Sequence, residues 1–197
     1  MEALDFLMLS ATGRSTSQYG SPFAATGQNL AFLKEAFLDV GGFSPFADAL
    51  GGDDTFLLQS IRRESSWEVV SALNEHSFSR TLPCESFKSF ISQRVRWASD
   101  SLYFREANPL FFFVIVTTFL ANFMALVSLA GLIIGTSSFE NLINVLIFKF
   151  LAEGYLMARA TKVFDRRDLR PAFLPWFFFQ MPYVVYMGIV TIVGRSQ

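Results

Sequence analysis

LFFFVIVTTFLANFMALVSLAGLII, residues 110–134, contains no charged side chain. As a helix rising 1.5 Å per residue it would reach roughly 37 Å, longer than the ~30 Å hydrocarbon core of a bilayer. Pro109 marks its start and Gly135-Thr136-Ser137-Ser138 its end. Residues 173–193 are likewise free of charge and carry Trp176, Tyr183 and Tyr186, with Pro175 and Pro182 as candidate kink points. Residues 142–160 form a weaker third candidate because they hold Lys149 and Glu153. These two lie at i and i+4, so they can neutralise each other on one helical face. Such a pair faces protein or water. It serves as a polar lock between helices, belongs to a partly interfacial helix, or lies along an acceptor or product path.

The loops orient these three spans. Arg94, Arg96 and Arg105 precede the first, and residues 135–141 contain no Lys or Arg. Arg159, Lys162, Arg166, Arg167 and Arg170 follow the second. An excess of basic residues marks cytoplasmic loops, so residues 1–108 are expected in the cytoplasm. The chain then reads as a multi-pass protein of the cell's inner membrane, with residues 109–197 as the membrane region.

Composition agrees with that division. The chain is 52% hydrophobic with 24 Phe and a mean hydropathy of +0.37, too apolar for a soluble domain of its length. A net charge of −1 and the lack of basic tracts interleaved with aromatics argue against a nucleic-acid partner. The one cysteine, Cys84, excludes an internal disulfide and a multi-Cys metal site. The one histidine, His76, leaves no material for a His-based metal site or a Ser-His relay, and reads as a structural or surface residue. Met1 to Asp5 lacks the basic start of a signal peptide.

Residues 1–108 read as several short elements. Leu4 to Leu9 fits a buried strand or a helix turn, and residues 11–21, rich in Ser, Thr and Gly, fit a loop. Residues 30–40 carry a helical apolar stripe that ends at Gly41-Gly42, a glycine cap. Gly51-Gly52-Asp53-Asp54 precedes a helix over 55–63, with Asp53 placed as its N-cap. Strands are expected around Val69-Val70 and over 77–82, and an interfacial amphipathic helix over 85–99 with Phe87, Phe90, Ile91 and Val95 on its apolar side.

Two stretches carry chemistry. In Gly52-Asp53-Asp54, a carboxylate at a helix N-terminus can cap the helix, or take a proton from a hydroxyl attacking an anomeric carbon. Two adjacent acids rarely complete a Mg²⁺ site. In Gln93-Arg94-Val95-Arg96-Trp97, Gln93, Arg96 and Trp97 share one helical face. That face offers an amide, a guanidinium suited to phosphate and a plate suited to a sugar ring. It equally suits a basic juxtamembrane helix on anionic lipid.

The order Thr26-Gly27-Gln28-Asn29-Leu30-Ala31, Val40-Gly41-Gly42-Phe43, Gly52-Asp53-Asp54, Gln93-Arg94-Val95-Arg96-Trp97, then membrane spans, resembles processive-type family 2 glycosyltransferases. That group includes cellulose, chitin and hyaluronan synthases and ceramide glucosyltransferases. The resemblance covers about residues 2–110 at motif level. It implies an α/β, GT-A-like catalytic domain, of which residues 1–108 would be the C-terminal half. It implies inverting transfer from a nucleotide-diphosphate sugar to a polysaccharide or lipid hydroxyl. Asp54, in the acid pair with Asp53, would be the general base. Arg96 would contact the donor diphosphate, Gln93 and Trp97 would shape the acceptor end, and Thr26 to Asn29, with Gly27 allowing close approach, would border the acceptor pocket.

The nucleotide-binding half of that family, with its Asp-x-Asp, has no counterpart here. The Mg²⁺ or Mn²⁺ expected for a complete enzyme would therefore find its ligands outside this chain. A missing N-terminal half or a partner chain would supply them, the isolated chain would be inactive, and its sheet would show an exposed edge. Two other classes compete: a non-catalytic membrane scaffold or binding subunit, and a small transporter built on Lys149 and Glu153.

Overall fold

A computed structural model describes residues 1–47, 52–72, 74–99 and 108–193. Seven α-helices occur among them: α1 (Glu2–Gln18), α2 (Lys34–Asp39), α3 (Asp53–Glu64), α4 (Phe87–Ser99), α5 (Pro109–Ile133), α6 (Phe139–Val163) and α7 (Phe173–Val193). Short 3-10 turns lie at Ser44–Phe46, Glu75–Ser77 and Arg167–Ala172. The chain divides into two compact units, residues 10–112 and residues 1–9 with 113–197.

The described residues contain no β-strand, so the α/β, GT-A-like expectation for residues 1–108 is wrong, and with it the exposed sheet edge. The stretches around Val69-Val70 and over 78–82 have no regular structure, and Leu73 lies outside the described residues. Apolar β-branched residues make a strand only where a neighbouring strand supplies hydrogen bonds. Leu4 to Leu9 is helical, and the helix runs on through the expected loop to Gln18. Its buried residues Leu4, Leu7, Met8 and Ala11 recur at helical spacing. The hydroxyls of Ser15 and Thr16 donate back to Ala11 and Gly13 carbonyls rather than ending the helix.

In the unit of residues 10–112, α2 packs on α3 through Ala36, Val40, Leu57 and Ile61, with Phe37, Phe46 and Val69 against them. α2 is shorter than expected, starting at Lys34 rather than Leu30. Its end is a full Schellman motif: the Gly41 N–H donates to Leu38 O and the Gly42 N–H to Phe37 O, with both glycines at positive φ. α3 starts from Gly52 at φ 78°, and no side chain caps it at that position. Asp53 is the first helical residue and is exposed, so the expected Asp53 cap is corrected.

The other face of α3 is a polar ladder that fixes the extended chain 22–27. Gln59, fully buried, donates through Nε2 to the carbonyls of Pro22 and Phe23, both at 2.9 Å. The Thr55 hydroxyl exchanges hydrogen bonds with both backbone groups of Ala25. Asn108 holds the same chain from the start of α5. It donates to Pro22 O and accepts the Phe111 N–H as an N-cap ahead of Pro109. Phe23 and Phe111 stack beside this junction.

In the other unit, α5, α6 and α7 agree with the three expected spans, and each candidate crossing is long and apolar enough for a bilayer by length and composition. α6 begins at Ser138, whose hydroxyl accepts the Asn141 N–H. α6 and α7 meet along an aromatic seam of Phe150, Phe173 and Phe177, with Phe173 close to Gly154. Gly188 of α7 leaves room for the Phe119 ring of α5, which a Cβ there would strike. The turn from α6 to α7 is tied by Arg170 Nε donating to Thr161 Oγ1 and by a two-pronged Arg166–Asp168 pair. Hydrogen bonding to Asp168 raises the Arg166 pKa, against a smaller opposing effect of burial.

Candidate functional site

The start of α3 brings two of the sequence-selected groups together. Asp54 Oδ2 accepts the Gly27 N–H at 2.7 Å, and Asp54 Oδ1 accepts the Thr55 N–H at 2.7 Å. The polar ladder of α3 lays residues 22–27 along the helix, so the chain reaches Asp54 with Gly27 already placed. The carboxylate is half-buried, while Gly27, Gln28 and Asn29 are exposed. One edge of Asp54 therefore faces backbone amides and the rest of it borders an open turn. Each carboxylate oxygen keeps acceptor capacity beyond one amide.

The turn at 27–29 is braced from its far side. The Asn29 amide donates to Ser77 O, and the Ser79 hydroxyl donates to Gln28 O at 3.0 Å. The Asn29 N–H closes the turn onto Thr26 O. His76, in the neighbouring 3-10 turn, is exposed. A Cβ on Gly27 would sit 3.8 Å from Asp54 Oδ2, an ordinary contact. Nothing inside the chain thus demands glycine at 27, and its bareness keeps the space beside Asp54 open.

The second constellation lies on α4. Gln93, Arg96 and Trp97 fall on one face as expected, with Arg96 exposed and Gln93 and Trp97 half-buried. Arg94 is the residue that sequence reasoning passed over. It is buried, its guanidinium lies 4.2 Å from the Trp97 ring centroid and 5.0 Å from that of Phe90, and it donates to Gln93 Oε1 at 3.2 Å. The Cys84 thiol is directed at the same Gln93 oxygen. Arg94 thus links the amide and the indole of the motif, and the i, i+4, i+7 positions of Phe90, Arg94 and Trp97 were the available signal. Hydrogen bonds join Gly27 to Asp54 and Asn29 to Ser77, whereas those of Gln93 run to Arg94 and Cys84.

Asp53 is exposed, Asp54 turns each oxygen to one amide, and no group of three His, Cys, Asp or Glu that could hold a metal ion occurs among the described residues. Further along α3, burial and then the neighbouring Arg63 lower the Arg62 pKa, and Arg62 Nε donates to Gln59 Oε1.

Lys149 and Glu153 do meet, at 2.6 Å, and Lys149 also donates to Gln180 Oε1 of α7 at 3.0 Å while lying 4.1 Å from the Phe177 ring centroid. With Lys149 only 5% exposed, the pair forms a closed link between α6 and α7.

Neither curated proteins nor solved structures give a match to this chain. The polysaccharide synthases named by the sequence resemblance are not supported. The family model that does match, over residues 5–187, is that of glycosyl transferase family 21 rather than family 2, and the chain belongs to glycosyltransferase family 21.

Proposed function

We propose that this chain forms the acceptor side of a membrane-bound transferase that moves a sugar from a nucleotide-diphosphate donor to a lipid hydroxyl, with inversion at the anomeric carbon. The family suggests the lipid acceptor. The observation that carries the reading is the junction of Asp54 and Gly27, two motif residues far apart in sequence that meet at 2.7 Å beside an exposed turn.

In this reading Asp54 takes the proton of the acceptor hydroxyl. The freed oxygen pair forms the bond to the anomeric carbon as the carbon–oxygen bond to the diphosphate breaks, and the nucleoside diphosphate leaves. The amides of Gly27 and Thr55 hold the carboxylate in one orientation, so little reorganisation is needed when the acceptor arrives. Arg96, exposed on α4, is assigned to the departing diphosphate, and Trp97 with Gln93 to the acceptor. Arg94 positions those two. Asp53 is assigned no proton transfer.

We assign the Mg²⁺ or Mn²⁺ no ligand in this chain, and give the donor-binding half to a partner chain or a further segment. We assign residues 1–108 to the cytoplasmic face, a reading supported by loop charge.

The test is transfer of labelled sugar from a panel of nucleotide-diphosphate donors to membrane lipids, with the assembled enzyme in native membranes. Asp54→Asn keeps the side chain's size and is expected to lower turnover by about 10²–10⁴-fold, the usual effect of removing a general base. Undiminished turnover would reject the assignment in favour of a scaffold or binding subunit.

A further inference from the structure

On the loop 134–138 side of α5 and α6 there is a cavity of about 570 Å³. Its walls are stripes at helical spacing: Met124, Val127, Ser128 and Gly131 on α5, and Asn141, Asn144, Val145 and Phe148 on α6, closed at the loop by Thr136 and Ser137. From the loop down to Met124 is about ten residues, or roughly 15 Å of helix, half of the ~30 Å hydrocarbon core. The cavity is therefore one leaflet deep.

Its chemistry changes with depth. Hydroxyls and amides (Thr136, Ser137, Asn141, Asn144, Ser128) occupy the loop end and the next turns, while Met124, Val127, Val145 and Phe148 line it further in. No Lys, Arg, Asp or Glu is among the lining residues.

Of the polar groups there, the Thr136 hydroxyl donates to Gly131 O at 3.4 Å, but three others have no such bond. Elsewhere in the spans, hydroxyls bond back to their own helix: Thr117 to Phe113 O and Thr191 to Met187 O. Ser128, although buried, makes no such bond, and neither its hydroxyl nor the side-chain amides of Asn141 and Asn144 have a hydrogen-bond partner among the described residues. Polar groups facing hydrocarbon without partners are costly, so an occupant that can donate and accept is favoured.

From this we infer that the cavity is a binding site for one membrane lipid with an uncharged, hydroxyl-rich headgroup, that of a neutral glycolipid. Sugar hydroxyls match the Ser and Asn set, the acyl chain follows the apolar turns, and the absence of a lining cation leaves nothing to select a phosphate. The inference rests on this cavity alone and holds whichever residues carry the transfer reaction.

The experiment reconstitutes the full chain in nanodiscs containing equal amounts of a monohexosyl lipid, phosphatidylcholine and phosphatidylglycerol. Lipids that stay bound after detergent extraction are quantified by mass spectrometry. The hexosyl lipid should be retained about fivefold or more over phosphatidylcholine, the effect of one net hydrogen bond, and more than phosphatidylglycerol. Asn144→Leu with Ser128→Ala should bring the ratio near one, while Thr117→Val, an exposed position on the same helix, should leave it unchanged. Equal retention of all three lipids by the parent chain, as a merely water-filled cavity would give, overturns the proposal. Preference for phosphatidylglycerol, or a ratio indifferent to the paired substitution, also overturns it.

Discussion

Gly27 separates a catalytic role for the α3 junction from a structural one. Its N–H holds Asp54, a bond any residue other than proline could make, and a Cβ there meets only an ordinary contact. Its φ is not in the left-handed region, so alanine suits the backbone. Gly27→Ala is therefore expected to be neutral or to stabilise by up to about 1 kcal/mol, through the lower entropy of the unfolded chain. In the proposed function it nonetheless lowers transfer, because the new methyl occupies the space an acceptor hydroxyl needs beside Asp54. Thermal melting and sugar transfer measured on the same preparation check this. Unchanged transfer would remove the turn from the acceptor pocket. Asp54 itself was legible from its place after Gly52. Its bond to Gly27 was not, because it depends on Gln59 and Thr55 fixing the path of residues 22–27. Arg94 shows the same limit. Two arginines two positions apart look alike as residue types, and only packing against Trp97 buries one and exposes the other.

Among the elements, the end of α2 was readable in full, since two adjacent glycines after an apolar stripe suit a left-handed cap and little else. The two are not equivalent. A Cβ at Gly41 would lie 3.6 Å from the Pro45 ring, but one at Gly42 would lie 2.8 Å from the Phe37 ring, and φ is positive at both. Gly41→Ala should cost about 1 kcal/mol and Gly42→Ala about 2–3 kcal/mol, the difference being the displaced ring. Urea titrations of the two variants would reveal the order, and equal midpoints would contradict it. The membrane helices were legible because length and apolarity decide them without tertiary help. α1 was missed although its buried positions recur every three or four residues, because Ser, Thr and Gly after Ala11 look like a loop until their hydroxyls bond back to the helix. The expected strands failed for a different reason: a strand is a property of a pair, and one sequence segment cannot show that its partner is absent. Between α6 and α7, Lys149→Met would leave Glu153 deprived of its cation and should destabilise the pair by about 2–3 kcal/mol. Adding Glu153→Gln should restore much of that loss in detergent melting curves. A single substitution without effect would show that the link contributes nothing to holding α6 on α7.

For the molecule as a whole, the proposed transfer depends on sidedness. The turn between α6 and α7 carries Lys162, Arg166, Arg167 and Arg170, and some of that charge is committed locally: Arg166 to Asp168, and Arg170 to Thr161. Lys162 and Arg167 remain exposed at the ends of the spans, whereas residues 134–138 hold no basic group. Basic residues next to span ends are retained on the cytoplasmic side, so the loop end of the cavity is expected in the opposite leaflet. Cysteine labelling in a Cys84→Ser background tests this with exposed positions that touch neither site. A membrane-impermeant maleimide added to intact cells should label Glu140→Cys at the start of α6. It should reach Arg167→Cys only after permeabilisation. The reverse pattern would put the basic turn outside, where nucleotide-diphosphate sugars are scarce, and would remove the cytoplasmic placement on which the proposed donor rests. Glu140→Cys lies in the first turn of α6, where Ser138 still caps the helix, so loss of one surface acid leaves the span intact.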